Sequence, residues 1–367
     1  MSKLLIMHPY LATYRIDVYN RFNRECSLEV LLYGSKNEKA GLGFDINRIY
    51  QLAEFQYTIK DTGWYIGRHL ISTIYFKVIN RFRPNVILAH ELGVNTLVAI
   101  MLKFFLNHKV FLTVDDNPQM AKYEYGITRS ILRRFVINYA DGYVCVSPYT
   151  RQYLQDKYKK TNCKFIYFPI IQDDRRLFDN ITASKSKADE YLEKYQLGEK
   201  KILLFVGRLE AVKSIDLLLA AYSEVKQEDT ILILVGDGSK KGELQFLAEK
   251  LGIGFNTIFT GSLTGVDLYA WYYLAHIFIL ASNHEAFGAV VNEALVGGCR
   301  CIVSDHCGAY SLISDSNGAV FESGNQEALA GCMKKEIDGI DINKEHKSLM
   351  PKSFDEYFYE LKTSMNI

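Results

Sequence analysis

The stretch Ser282-Asn283-His284-Glu285-Ala286-Phe287-Gly288-Ala289-Val290-Val291-Asn292-Glu293-Ala294-Leu295 sets two carboxylates eight residues apart around a Phe-Gly pair. On one continuous helix Glu285 and Glu293 would stand roughly 80° apart and more than two turns distant, too far for one small site. The alternative is a strand over His276 to Ala281, a loop through Gly288 and a helix from about Ala289. Glu285 then lies on the loop and Glu293 in the first helical turns. Both face one ligand, which also meets the free N–H groups of a helix start.

Four further segments in the same half read as strand ends with loops: Phe205-Val206-Gly207-Arg208-Leu209-Glu210-Ala211-Val212-Lys213, Leu234-Val235-Gly236-Asp237-Gly238, Phe259-Thr260-Gly261 and Ile302-Val303-Ser304-Asp305. Their order and intervals, with the Glu, seven residues, Glu pattern, resemble the retaining glycosyltransferases of family 4 (glycosyl transferases group 1) over about residues 200 to 325. A lone Glu-x7-Glu would be weak evidence. The resemblance implies an α/β chain of GT-B fold, with two Rossmann-like parallel-sheet domains facing an interdomain crevice.

Upstream, Leu4 to Met7, Leu28 to Tyr33, Val86 to Ala89, Lys109 to Val114, Gly142 to Val146 and Lys164 to Phe168 read as short buried strands. Helical-length segments such as Tyr14 to Cys26 and Tyr65 to Arg81 separate them. Residues 1–172 are therefore expected to form an amino-terminal acceptor-binding domain. The charged stretch 173–200, with Asp173-Asp174-Arg175-Arg176, reads as a linker because a core-forming pattern resumes only at Ile202. Residues 201–345 make the nucleotide-sugar domain, whose first helix shows one apolar face through Ile215, Leu218, Leu219, Tyr222 and Val225. Over 346–367, Phe354, Tyr357, Phe358 and Leu361 form a stripe at helical spacing; the resemblance implies a last helix crossing back to the first domain.

With 367 residues and 49% hydrophobic content, two domains with real cores are affordable. The net charge of +1 gives no field that calls for nucleic acid. Seven cysteines, Cys26, Cys145, Cys163, Cys299, Cys301, Cys307 and Cys332, are odd in number and mostly set in apolar runs. They read as reduced core thiols in a cytoplasmic protein, and Cys299, Cys301 and Cys307 beside His306 fit no common zinc spacing. The apolar runs at the amino terminus and over Leu97 to Leu106 are too short for a signal peptide or a membrane span.

The resemblance assigns roles. Arg208 and Lys213 match the family's two cations for the donor diphosphate, since an enzyme without a metal must meet the departing phosphate with fixed positive groups. Glu285 is expected beside the transferred sugar, where the reaction requires it, and Glu293 on the ribose hydroxyls. Gly207, Ala286, Phe287 and Gly288 belong to the same nucleotide-sugar site, the glycines allowing close backbone approach. Asp237 reads either as the edge of the base site or as a plain tight turn. No metal and no cofactor is expected; the nucleotide diphosphate sugar, UDP- or GDP-linked, is the donor substrate.

The chain also departs from the family pattern. Ser214 replaces the usual Gly after Lys213, with a hydroxyl able to cap the next helix, and Ser311 stands where a Glu is common. No Gly-Gly follows the first strand, which runs into His8-Pro9-Tyr10-Leu11-Ala12-Thr13-Tyr14-Arg15. Where many members carry a His near the sugar, this chain has Asp115-Asp116-Asn117-Pro118. Asp115 and His90 are therefore the catalytic candidates of the first domain, His90 reading equally as a satisfied, partly buried histidine. Adjacent aspartates also suit a divalent cation, a role that Arg208 and Lys213 make redundant. Ser147 matches a common strand-end serine.

The family's habit points to a saccharide acceptor that is lipid-linked, in cell-surface polysaccharide synthesis. Trp64 to Lys77 and the basic run Arg129 to Arg134 read either as a basic aromatic face for peripheral contact with the inner face of the plasma membrane or as ordinary amphipathic helices. Two other functions fit the same fold: a nucleotide-sugar epimerase, which needs no acceptor, and a non-catalytic nucleotide- or membrane-binding partner, against which intact Arg208, Lys213, Glu285 and Glu293 speak.

Overall fold

The computed structural model describes residues 1–33, 51–60, 63–66, 69–90, 93–115, 134–158, 163–342 and 346–367, with 64–66 and 69–71 described by backbone. The chain divides into two compact units, Met1–Gln172 together with Phe354–Ile367, and Asp173–Ser353.

In the first unit the described strands are β1 (Lys3–His8), β2 (Ser27–Leu32), β3 (Tyr57–Ile59), β4 (Trp64–Ile66), β5 (His69–Ile71), β6 (Val86–His90), β7 (Lys109–Val114), β8 (Gly142–Cys145) and β9 (Lys164–Tyr167). Seven of them form a sheet in the order β3-β2-β1-β6-β7-β8-β9, parallel throughout. Helices α1 (Thr13–Glu25), α2 (Ile74–Phe82), α3 (Val94–Leu106) and α4 (Pro148–Tyr158) connect them. Leu4, Leu5, Ile6 and Met7 are all buried, the mark of a strand covered on both faces. Ser147 caps α4: its hydroxyl accepts from the Thr150 N–H at 3.1 Å.

The segment Tyr65 to Arg81 is not one helix. Its first part is an antiparallel pair, β4 with β5, in which Trp64 faces Ile71, and only Ile74–Phe82 is helical. Trp64-Tyr65-Ile66 and Leu70-Ile71 are aromatic and branched residues that suit extended backbone, and that preference overrides the apparent helical length.

The second unit starts where a linker was expected. Residues 173–200 instead contain α5 (Asp174–Ala183) and α6 (Lys185–Lys194). Asp173 caps α5 by accepting from the Arg176 N–H at 3.0 Å, which satisfies one free donor of the helix start. Leu177, Ile181, Ala188 and Tyr191 are buried, and Tyr191 stacks on Trp271 with centroids 4.7 Å apart. The narrow apolar stripe among many charges is what reads as a linker in the sequence.

The rest alternates β10 (Lys201–Val206), α7 (Ile215–Val225), β11 (Thr230–Val235), α8 (Lys241–Lys250), β12 (Thr257–Gly261), α9 (Val266–Leu274), β13 (Ile277–Leu280), α10 (Val290–Val296), β14 (Arg300–Ser304), β15 (Gly318–Phe321) and α11 (Gln326–Asp338). The described strands form a parallel sheet in the order β12-β11-β10-β13-β14-β15. The final helix, α12 (Phe354–Met365), belongs to the first unit. There Phe358 packs on Phe22 at 4.8 Å, and Lys362 pairs with Glu25 at 2.5 Å. Both units are thus Rossmann-like parallel sheets with helices.

Candidate active site

In an open parallel sheet, ligands lie at the carboxyl ends of the strands, where the strand order reverses and neighbouring loops diverge. In the second unit that point falls between β10 and β13, and in the first between β1 and β6.

At the second unit's switch point β10 leads into Gly207, whose N–H donates to the Val235 carbonyl at 3.0 Å. Backbones crowd here: a Cβ on Gly236 would lie 1.8 Å from the Gly207 carbonyl oxygen, so only glycine fits. Glu210 ties the two loops together by accepting from the Ser239 N–H at 3.0 Å and its hydroxyl at 2.7 Å. Arg208 is exposed beside them. Lys213 closes a short 3-10 turn, Ala211–Lys213, and forms an ion pair with Glu285, from the loop after β13. The two side chains are 14% and 20% exposed, so the pair is largely withdrawn from water. The same two loops are joined by the Asn283 N–H, which donates to the Val212 carbonyl at 3.0 Å.

Ser214 does not cap the following helix. It stands at the cap position of α7 with φ +47° and no side-chain cap bond, and its buried hydroxyl has no partner. Left-handed backbone at this position suits glycine, which accounts for the residue the family usually carries there.

The Phe-Gly pair shapes the loop that carries Glu285. Phe287 is buried at 2% exposure, and its carbonyl accepts from the Ala309 N–H at 2.7 Å and the Cys307 thiol at 3.0 Å. Gly288 turns the chain at φ +91°, where a Cβ would lie 2.9 Å from both Cys307 Sγ and Leu280 Cδ2. Glu285 is held by its backbone, its N–H donating to His306 and its carbonyl accepting from Gly308, each at 3.2 Å. Ala286 is half-buried, and a Cβ on Gly308 would lie 2.3 Å from its carbonyl oxygen. Ser311 turns back and donates to the Gly308 carbonyl at 3.1 Å.

Glu293 lies in the first turn of α10 and accepts a 2.9 Å hydrogen bond from the Tyr272 phenol of α9. Burial, and then the Glu293 charge, hold that phenol well above the usual tyrosine range, so it stays a donor. Sequence reasoning missed Tyr272. Its only signal was that it is one of three tyrosines in a largely apolar helix, and such a residue, when buried, normally needs a partner for its hydroxyl.

Asp237 is exposed and makes a turn's own contacts. It accepts from the Gly238 N–H at 2.8 Å and pairs with Lys241 at 3.2 Å, which together lower its carboxyl below the ordinary range. Cys299, Cys301 and Cys307 are buried and donate to carbonyls, while His306 Nδ1 lies 2.9 Å from the Asn283 carbonyl. They are core thiols.

The first unit's switch point gathers a second cluster. His8 ends β1, His90 ends β6, Asp115 follows β7, and Arg15 sits in the first turn of α1. Arg15 Nη2 donates to both Asp115 oxygens, at 2.5 and 2.6 Å. Burial works against the guanidinium charge, and Asp115, Tyr19 and Tyr14 together more than offset it. His90 Nδ1 lies 3.0 Å from the Thr113 hydroxyl and 4.0 Å from Asp115 Oδ2, and the His8 ring packs 4.0 Å from the His90 ring. Asp115 and His90 thus come together as expected of one site; His8 and Arg15 join them. Asp116 lies outside the described residues.

His8, His90 and Asp115 place ligand-type atoms within 4.8 Å of one another, the one metal-capable grouping among the described residues. Arg15 occupies both carboxylate oxygens and sets a fixed positive charge there. That charge disfavours a cation beside it, and the cluster makes a hydrogen-bonding floor.

With this geometry in view, comparison with known proteins defines the class. The chain has the fold of the GT-B glycosyltransferases. A glycosyltransferase from Rickettsia africae superposes with a TM-score of 0.72 at 16% identity, covering 99% of this chain and 94% of that one. The Anabaena protein HepE, solved with UDP and glucose, gives 0.66 at 17% identity over 92% and 90%. More particularly, residues 187–345 match the family Glycosyl transferases group 1, so this chain carries that domain. Among curated relatives, the alpha-monoglucosyldiacylglycerol synthase of Streptococcus pneumoniae is 28% identical over 62% of this chain and 50% of that protein. The GDP-mannose-dependent phosphatidylinositol monomannoside mannosyltransferase of Mycolicibacterium smegmatis is 26% identical over 76% and 66%. The chain spans about half the length of the Streptococcus protein.

Proposed function

We propose that this protein is a retaining, metal-independent glycosyltransferase of family 4. It moves a sugar from a nucleoside diphosphate donor to a lipid-linked saccharide acceptor in cell-surface polysaccharide synthesis. The observation that carries the reading is the meeting of Lys213 and Glu285 at the switch point of the second sheet, 72 residues apart in sequence. One loop brings the cation a departing diphosphate needs, and the other brings the carboxylate expected beside the sugar. One relative named for the glycolipid it makes and another named for the glycolipid it mannosylates support the acceptor class.

Breaking the glycosyl–phosphate bond leaves charge on the diphosphate, and groups already in place stabilise it without reorganisation. Arg208 offers a bidentate fork and Lys213 a point charge. Lys213 is engaged by Glu285, so an arriving diphosphate competes for it and frees the carboxylate toward the sugar. Glu293, oriented by Tyr272, accepts from the ribose hydroxyls. In the first unit Asp115 and His90 meet the acceptor or the transferred sugar. Seven cysteines, none of them in a disulfide, suit a reducing cytoplasm.

The test is thermal stabilisation and slow donor hydrolysis across UDP-, GDP- and ADP-sugars, with and without chelator. Stabilisation by one nucleotide class, insensitive to chelator and lost in Glu293→Ala, is the expected result. No stabilisation by any nucleotide, or hydrolysis abolished by chelator, overturns the reading.

A further inference from the structure

Helix α3 breaks the usual rule for a surface helix, which hides an apolar stripe and shows a polar one. Its inner side is accounted for: Ala99 and Ile100 are buried, and Val98, Leu102 and Leu106 pack against the core of the first unit. Its outer side is apolar too. Met101, Phe104 and Phe105 are 53%, 61% and 82% exposed. They recur at i, i+3 and i+4 and so share one face, with half-buried Leu97 four residues before Met101. Phe104 also meets Tyr139 edge-on at 5.4 Å, which extends the patch onto the next helical segment.

The one charge on α3 is turned aside. Lys103 pairs with Asp141 at 2.6 Å and donates to the Tyr139 carbonyl at 3.1 Å. The flanks are basic: from Ser72 to Val114 the sequence has Lys77, Arg81, Arg83, Lys103 and Lys109 against Glu91, although Asp115 and Asp116 follow and Arg81 pairs with Glu29. Lys77, Arg83 and Lys109 are exposed, and so is Arg134 just before Tyr139.

We propose that the outer face of α3, through Met101, Phe104 and Phe105, docks on an anionic lipid bilayer. An uncharged aromatic stripe on a convex helix, bordered by cations, matches the interface of an acidic membrane: phenyl rings enter at the headgroup boundary while lysines and arginines meet lipid phosphates. The exposed charges named around the face are all positive, the complement of a layer of anionic headgroups. The aromatic contact thus lies on α3, while of the two segments the sequence pointed to, Lys77 and Arg134 supply exposed cations and residues 129–133 lie outside the described residues. The purpose of docking rests on the lipid-linked acceptor proposed above; its physics does not.

The experiment is co-sedimentation of the full chain with phosphatidylglycerol-containing vesicles and with neutral phosphatidylcholine vesicles, at low and high salt. The wild type is expected to bind the anionic vesicles, more weakly as salt rises. Phe104→Ser with Phe105→Ser should raise the lipid concentration for half-binding by about tenfold or more. Phe255→Ser, at a fully exposed ring of the second unit, should change nothing. Absence of wild-type binding, equal binding by the double variant, or an equal loss in Phe255→Ser overturns the proposal. Concentration-dependent dimerisation that the double variant abolishes without lipid also overturns it, assigning the face to a second copy. UDP stabilisation measured in parallel separates this from the catalytic reading: vesicle binding without nucleotide binding refutes only the latter.

Discussion

Replacing Lys213 by Met keeps most of the stem's volume and removes the charge that Glu285 accepts. At 14% and 20% exposure the pair lies between a surface ion pair, worth up to about 1 kcal/mol, and a fully buried one, where losing a partner costs about 3–5 kcal/mol. A cost of about 2 kcal/mol follows for Lys213→Met, and for a unit of this size that is a fall of roughly 4–8 °C in its melting temperature. Glu285→Gln should cost less, because a lysine tip reaches water more readily than a carboxylate fixed on a turn. The double variant has no uncompensated charge and should recover at least about 1 kcal/mol of the summed losses.

Titration calorimetry with UDP then separates the roles. Lys213→Met should weaken binding by about 10- to 150-fold, the worth of one charge-assisted hydrogen bond. Glu285→Gln should bind UDP as well as the wild type or better, since it releases Lys213, while turnover collapses. Additive stability losses would show that the ion pair carries no coupling energy. Unchanged UDP affinity in Lys213→Met would remove that lysine from the diphosphate site.

Tyr272→Phe removes the donor 2.9 Å from Glu293 and should weaken UDP binding several-fold, on a loss of about 1 kcal/mol; calorimetry showing no change would separate Tyr272 from the ribose contact. Ser214→Gly should stabilise the second unit by up to about 1 kcal/mol, because it relieves left-handed backbone and deletes a buried hydroxyl without a partner; a lower melting temperature would contradict this. Burial of Glu25 opposes its charge, but hydrogen bonds from Lys362 and Arg21 win, so its carboxyl lies below the ordinary value of 4.5. A depressed folded value contributes stability above the unfolded value that is lost as pH falls through the folded one. Amide exchange in α12 should therefore rise below about pH 4.5, and Glu25→Gln should remove that dependence. Of the seven thiols, six are buried and Cys332 is half-exposed; a single thiol should react readily with a disulfide reagent before unfolding and all seven after, and early reaction of several would contradict the burial.

Most strands of the two sheets were legible because strands buried on both faces become short apolar runs, from Leu4-Leu5-Ile6-Met7 to Ile277-Phe278-Ile279-Leu280, whereas the partly exposed edge strands β3 and β15 were not. Charge density misled between 173 and 200. Amphipathic helices that bury only two residues each look polar on average, and Tyr191 finds Trp271 only in three dimensions. Trp64 to Ile71 misled in the other direction, since a short hairpin and a short helix together have the length of one long helix. At the site, Lys213, Glu285 and Glu293 were readable from spacing and resemblance. Tyr272 and Arg15 were not, because each acts on a partner, 21 and 100 residues away, that no local pattern names.

The two units solve the same problem with different residues. Each opens its switch point beside its first strand, and each balances charge there, Lys213 with Glu285 in one and Arg15 with Asp115 in the other. The pairs differ in what they can release. Arg15 is 6% exposed on its side chain and holds both Asp115 oxygens, so separating that pair would leave two buried charges. Lys213 has a flexible stem, a single contact with Glu285 and more access to water. An incoming diphosphate can therefore draw Lys213 away from Glu285 at modest cost, whereas a neutral sugar hydroxyl cannot open the Arg15–Asp115 pair. On the proposed function, the second unit changes its pairing when an anionic donor arrives and the first holds its floor fixed against an uncharged ligand. That division matches a donor that brings its own charge and an acceptor that brings only hydroxyls.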